Sequence, residues 1–245
     1  MIKKSEMSII DFISKKKALN RTLQALLAVM LFFAVLAGAV FAVLAFKPLY
    51  YLDIDALDIP AQSGYSREKI VENYDALIDY NLPLTDGTLE FPSLKMSDSG
   101  RKHFAEVKDI FDAFKILFLV LAPLCVLGVI LFHRLKNREY LLYTAIVTVA
   151  LPLVGGGLIA LNWESVFVNF HKLFFDNDDW IFNPRTDPVI TILPDEFFMH
   201  CAIAIISIVL LFGGICFGVW LYKRTKERRT EKGTDVSEAH EQTEE

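Results

Sequence analysis

Four long apolar runs, at 22–46, 111–132, 140–163 and 197–222, constrain this chain more than any other feature. Each reaches or passes the roughly 20 residues a helix needs to cross about 30 Å of hydrocarbon at about 1.5 Å per residue. The first holds no charge, and the second is interrupted only near its start, by Asp112 and Lys115. A backbone in hydrocarbon must satisfy its own hydrogen bonds, so each run is expected as a helix. Buried helices of a soluble protein rarely stay uncharged for so long. The first run has a basic flank and the small residues Ala37, Gly38 and Ala39, as a cleaved signal would. Its apolar core is far longer than a signal's, so it reads as a retained anchor.

Orientation follows from Lys and Arg near the membrane ends. The leader 1–21 carries Lys3, Lys4, Lys15, Lys16, Lys17 and Arg21. The short connection 133–139 has Arg134, Lys136 and Arg138, and the tail 223–245 opens with Lys223, Arg224, Lys226, Arg228 and Arg229. Four spans put all three on one side, expected to be the cytoplasm, with both termini inside. The loops 47–110 and 164–196 are acidic and face outward. No basic patch lies on a folded region, which gives no support to nucleic-acid binding. Cys125, Cys201 and Cys216 sit in or beside apolar runs, so the outer loops have neither a disulfide framework nor a thiol nucleophile.

The two outer loops are long enough to fold into a small α+β cap. Residues 51–59 alternate partly between apolar and acidic and predict a strand; 88–91 and 189–193 are two further candidates. Ser66 caps a helix over 66–80, with Ile70, Tyr74, Leu77 and Ile78 on one face and Pro83 beyond its end. Ser97 or Ser99 starts another, in which Phe104, Val107 and Phe111 recur at helical spacing and run unbroken toward the second membrane helix. In the second loop Phe167, Phe170, His171 and Phe174 form one aromatic stripe between Trp163 and Trp180, as in a helix lying in the membrane interface. Asn177, Asp178 and Asp179 close that segment. The run Gly155–Gly157 is expected to let the third helix approach a neighbour. The tail from 226 is charged and reads as disordered.

Five histidines are present. His240 is in the tail, His133 closes the second helix at the headgroups, and His200 reads as an interface residue at the head of the fourth. His103 and His171 remain, both outside. A short connection makes the second and third helices antiparallel neighbours. With Lys136 as its centre, His103 lies 33 residues before and His171 35 after. Roughly helical arms therefore bring the two imidazoles to one height near the outer leaflet. Each alone reads more simply as a packing residue; convergence favours function. Two His with Asp176, Asp178 or Asp179 offer zinc donors, but neither H-x-x-x-H nor H-E-x-x-H spacing occurs. No G-x-S-x-G stands in either outer loop.

The stretches SGRKHFAEVKDIF (99–111) and NFHKLFFDNDDWIFNP (169–184) resemble segments of the bacterial lipoprotein intramolecular transacylase family, and the likeness in plan covers about residues 20–222. The second stretch is the more specific. The resemblance implies a multi-pass plasma-membrane enzyme with His103 and His171 as its catalytic pair and no cofactor or metal. Its partners would be diacylglyceryl-modified lipoproteins and membrane lipid. The α-amine of the lipoprotein's first cysteine would attack the sn-2 ester of the S-diacylglyceryl group on the same residue, giving the lyso-form. An amine near pKa 7.7–8.0 and an imidazole near 6.5 suit proton transfer at neutral pH. Asn177, Trp180 or a backbone N–H would serve the oxyanion, and Asp109 and Asp179 would orient the imidazoles. Two other readings compete with this one. One is a non-catalytic membrane protein whose cap binds lipid or a partner; the other is a zinc-dependent membrane hydrolase.

Overall fold

The structure, a computed structural model, describes residues 17–82 and 87–241, with 231–241 by backbone course alone. The leader before Lys17, Pro83, the His240 side chain and residues 242–245 lie outside the described residues. In chain order the helices are α1 (Lys17–Ala45), α2 (Pro48–Ala56), α3 (Ile59–Ser63), α4 (Arg67–Asn81), α5 (Asp98–Arg134), α6 (Glu139–Leu161) and α7 (Trp163–Phe174). A 3-10 turn (Pro188–Thr191) and α8 (Asp195–Glu241) follow. α1, α5, α6 and α8 are each long and apolar enough to cross a membrane. α1 packs against the other three, and α6 also packs against α8. Leu119, Leu127, Leu153 and Leu211 stand exposed along them, as side chains that meet lipid would.

At the end of the bundle opposite the cap, Gln24 is fully buried and ties three elements together. Its Nε2 donates to Asn20 at 2.6 Å, and its Oε1 accepts from the Tyr140 backbone N–H at 2.8 Å. That N–H is one of the orphan donors at the start of α6. Asn137 Nδ2 donates to Asn20 at 2.9 Å, and Lys136 takes a left-handed φ of 54° at the turn. The small residues that permit close packing are not Gly155–Gly157, where a Cβ would meet nothing within 4 Å. They are Gly128, where a Cβ would stand 2.7 Å from Leu27, and Gly213, where it would strike Thr148.

Among the described residues the cap contains no strand, so it is helical with irregular segments and not α+β. Residues 51–59 fall largely in α2, where Pro48 supplies the first turn and Tyr50, Asp53 and Ile54 are buried on one side. Burial at helical spacing outweighs the partial alternation. Residues 88–91 form no regular element, and among the described residues no strand lies beside them. Arg101 donates to Leu89 O at 3.1 Å, and Asn73 Oδ1 accepts from Ser93 N at 3.3 Å and Leu94 N at 3.2 Å. Residues 189–193 wind into the 3-10 turn, whose φ is preset by Pro188. The cap core joins Tyr50, Ile54, Ile70, Tyr74, Phe104, Ile192 and Phe197, with Tyr50 and Tyr74 stacked at 3.7 Å. The tail also departs from the disorder expected of it, since α8 continues through Glu241. Lys, Arg and Glu are good helix formers, and extending an existing helix needs no new nucleus.

α5 runs unbroken for 37 residues, about 55 Å, well beyond the roughly 30 Å of a bilayer core. Its first turns therefore stand in the cap. Ser97 caps it, accepting from Gly100 N at 3.0 Å. The buried Asp187 accepts from Ser97 N at 2.8 Å and from Ser97 Oγ at 2.9 Å. Asp187 lies so close to Gly100 that a Cβ there would collide with its carboxylate. This clamp fixes the start of α5 against the segment between α7 and the 3-10 turn.

Candidate active site

His103 projects from the second turn of α5 and is 5% exposed. It sits among aromatic rings, with Phe175 at 4.7 Å, Phe182 at 5.4 Å and Phe104 at 5.7 Å between centroids. Its Nδ1 is buried and has no hydrogen-bond partner among the described residues. Burial, and then the nearby His171, push its pKa down to about 4, against an opposing pull from Asp179. The ring is therefore neutral at physiological pH.

His171 belongs to α7, which starts after a break at Asn162, whose side chain caps the helix by accepting from Ser165 N at 2.9 Å. The aromatic stripe forms as its spacing predicts: Phe167 lies 4.3 Å from the His171 ring, and Phe170 lies 4.7 Å from Phe174. His171 Nδ1 is 2.8 Å from Phe167 O. A carbonyl only accepts, so Nδ1 carries the proton and Nε2 of the neutral ring is bare. Burial lowers the His171 pKa, and the Phe167 bond opposes that shift. The rings of His103 and His171 are 6.0 Å apart and inclined by 32°.

The turn after α7 closes the site. Trp180 stacks on His171 at 4.8 Å and 30°, and its Nε1 donates to Asn177 O at 3.0 Å. Asn177 Nδ2 donates to both carboxylate oxygens of Glu106, at 2.9 and 3.2 Å, while its Oδ1 accepts from Asp179 N at 2.9 Å. Both side-chain donors expected at the oxyanion are thus engaged elsewhere. Asp179 makes no hydrogen bond to either imidazole; its carboxylate pairs with Lys102 at 2.5 Å. Asp109 makes no bond to either histidine either. It lines a groove of about 530 Å³ between α5 and the end of α7. Glu106, Asp176 and Asn177 share its polar part, and Ile110, Ala113, Phe114, Phe174 and Phe175 its apolar part. Along α5 the apolar residues lie on the membrane side of Glu106.

Sequence reasoning missed Glu106, Lys102 and Phe175. Glu106 stands one turn after His103, and that spacing was the available signal. It also gave no sign of the partner of His200, whose Nδ1 lies 2.9 Å from both oxygens of the buried Asp53. Among the described residues no three His, Cys, Asp or Glu side chains converge as a metal site requires, so the proposed zinc donors are not assembled.

The family model described as lipoprotein intramolecular transacylase Lit matches residues 25–198, a range that holds every residue of this site. A solved structure of the membrane integral lipoprotein intramolecular transacylase Lit from Bacillus cereus is 38% identical. It superposes with a TM-score of 0.84, covering 87% of this chain and all of that one. A variant of the same protein with one histidine replaced by alanine gives a TM-score of 0.78 at 38% identity, over 86% of this chain and 96% of that one. An uncharacterized protein of Aquifex aeolicus is 28% identical over 134 residues, 52% of this chain, which spans only 60% of that relative's length. Matched across most of its length and similar throughout to an integral membrane protein, this chain belongs to the lipoprotein intramolecular transacylase Lit family.

Proposed function

We propose that this protein moves the sn-2 acyl chain of an S-diacylglyceryl lipoprotein to the α-amine of its amino-terminal cysteine. The reaction takes place on the outer face of the plasma membrane and leaves a lyso-form lipoprotein. The observation that carries this reading is a pair of neutral imidazoles 6.0 Å apart, one with its free nitrogen defined. Nucleophile and ester are tethered in one molecule, so the protein's main work is to fold them into contact.

His171 Nε2 accepts the proton of the attacking amine as the N–C bond forms. The resulting imidazolium is supported by the Phe167 carbonyl and the Trp180 ring face. It then returns the proton to the glycerol oxygen as the C–O bond breaks. His103, kept neutral by burial, offers its N–H to the oxyanion, the role left open by the engaged amide and indole. The groove beside Asp109 and Asp176 suits the amine and the acyl chain, with acidic groups at one end and apolar ones toward the membrane.

The test is mass spectrometry of lipoprotein amino-terminal peptides from cells with and without this protein, together with conversion of a diacylglyceryl lipopeptide by the purified protein. Lyso-form product made in EDTA is the expected result. Loss of activity in EDTA with recovery on zinc would favour the hydrolase. No conversion under any condition would favour a lipid- or partner-binding protein.

A further inference from the structure

We propose that Glu106 is a positioning residue for His171, acting through Asn177 and Trp180; this rests on the transacylase reading. Glu106 lies on α5 one turn beyond His103, whereas His171 lies on α7, so the two rings belong to separate helices that must be held in register. The bond from His171 Nδ1 to Phe167 O stays within α7. It sets the tautomer but ties the ring to nothing on α5. Two polar links join α5 to the segment that follows α7: Asn177 Nδ2 donates to both Glu106 oxygens, and Lys102 pairs with Asp179. Of the two, only the first involves the residue that holds the Trp180 indole.

The Asn177 contacts are charge-assisted, with the one amide nitrogen shared between the two carboxylate oxygens, and they hold the Asn177 amide against Glu106. Every other polar group of Asn177 named above is also occupied, by Asp179 N at Oδ1 and by Trp180 Nε1 at the carbonyl. A tethered indole has a fixed plane, and that plane lies on His171. The chain of restraint therefore runs from the helix of His103 to the ring of His171. Lys102 adds charge balance, with Asp179 at 2.5 Å and Glu106 at 3.8 Å, but the closer partner of Glu106 is Asn177.

The experiment uses the full chain in lipid nanodiscs, with Glu106→Ala, Glu106→Gln, Asn177→Asp and the double variant Glu106→Gln/Asn177→Asp, which exchanges donor and acceptor. Two quantities are read. One is kcat and KM on a diacylglyceryl lipopeptide. The other is the pH midpoint of Trp180 emission in a Trp163→Phe/Trp220→Phe background, because a protonated imidazole quenches an indole stacked on it. The other ionisable groups around this pair are Lys102, His103, Asp176, Asp178 and Asp179.

Glu106→Ala and Asn177→Asp are expected to lower kcat about tenfold to a hundredfold, with KM changed no more than about twofold, because the loss is one of alignment. Both should weaken the pH-dependent quenching. Glu106→Gln, which still accepts from Asn177, should retain most of the rate, and the double variant should recover much of what Asn177→Asp loses. Wild-type kcat and quenching in Glu106→Ala would overturn the proposal, as would a double variant no better than Asn177→Asp; the latter comparison decides if Glu106→Ala fails to accumulate. If the wild type makes no lyso-product yet the quenching follows the expected order, positioning of His171 stands and the transacylase reading falls. If the wild type is active and the variants are indifferent, only the present inference falls.

Discussion

The Trp180 ring lies over the His171 ring at 4.8 Å with the planes inclined by 30°, while the Nδ1 of the same imidazole is bonded to Phe167 O. One contact sets the plane and the other sets the tautomer, so the ring is fixed before any substrate arrives. His103 is restrained differently, by a box of phenylalanines and without a hydrogen bond at Nδ1.

The two rings should behave as one unit in catalysis. His103→Ala and His171→Ala are each expected to remove most transacylation, with the double variant little worse than either. The measurement is lyso-lipopeptide formation at matched membrane expression. Near-normal turnover by either single variant would remove the pair from the mechanism.

Burial of His103 also predicts how stability depends on pH. The folded imidazole titrates near 4 and an unfolded one near 6.5, so between these values the unfolded chain binds a proton that the folded one does not. Stability is then full above about 6.5 and falls as pH drops through the window, by on the order of 2 kcal/mol at about pH 5. Thermal unfolding near pH 7 and pH 5 should show this fall in the wild type and a smaller one in His103→Phe.

How much of this was legible in the sequence differs from element to element. The membrane helices were, because an uncharged run of that length has few alternatives. So was the meeting of His103 and His171, because both helical arms leave one short turn at Lys136. The cap strands were misread because alternation over a few residues resembles a helix with one buried side, and only the position of Tyr74 and Ile192 decides for Tyr50 and Ile54. Partners far apart in sequence, such as Glu106 with Asn177 or Asp53 with His200, leave no local pattern to read. The Gly155–Gly157 run was conspicuous yet leaves open space where a Cβ would stand, whereas the single Gly100 is where another chain segment comes close.

That contrast can be measured. Gly100→Ala places a methyl against the Asp187 carboxylate that holds Ser97, and should cost about 1–3 kcal/mol in unfolding experiments. Gly155→Ala meets open space and should leave stability unchanged or slightly raised.

His200 offers a separation of stability from chemistry. Removing it as His200→Ala leaves the buried Asp53 carboxylate without its partner, and a loss of about 3 kcal/mol is expected. Turnover per folded molecule should persist, because the pair lies outside the imidazole site. The double variant Asp53→Ala/His200→Ala should lose less than the sum of the two single changes.

Topology needs its own check. A reporter fused after Arg229 should be active only in the cytoplasm, and one inserted near Ser63 only outside. The opposite pattern would place both histidines on the wrong face for lipoproteins anchored in the outer leaflet.

α5 is one continuous helix that carries His103 in the cap and passes Pro123 in its apolar part, about 30 Å along its axis from His103. A proline inside a helix is where it bends. Pivoted there, a change of about two degrees in tilt swings His103 sideways by roughly 1 Å, a displacement of the size that misaligns reacting groups. His171 rides on α7, which the break at Asn162 separates from the helix below it. The gap between the two rings is therefore coupled to how steeply one helix leans, and helices lean to match the thickness of the bilayer around them. Turnover in bilayers of graded acyl length would read that coupling directly, with lipid thickness acting as a lever on the chemistry.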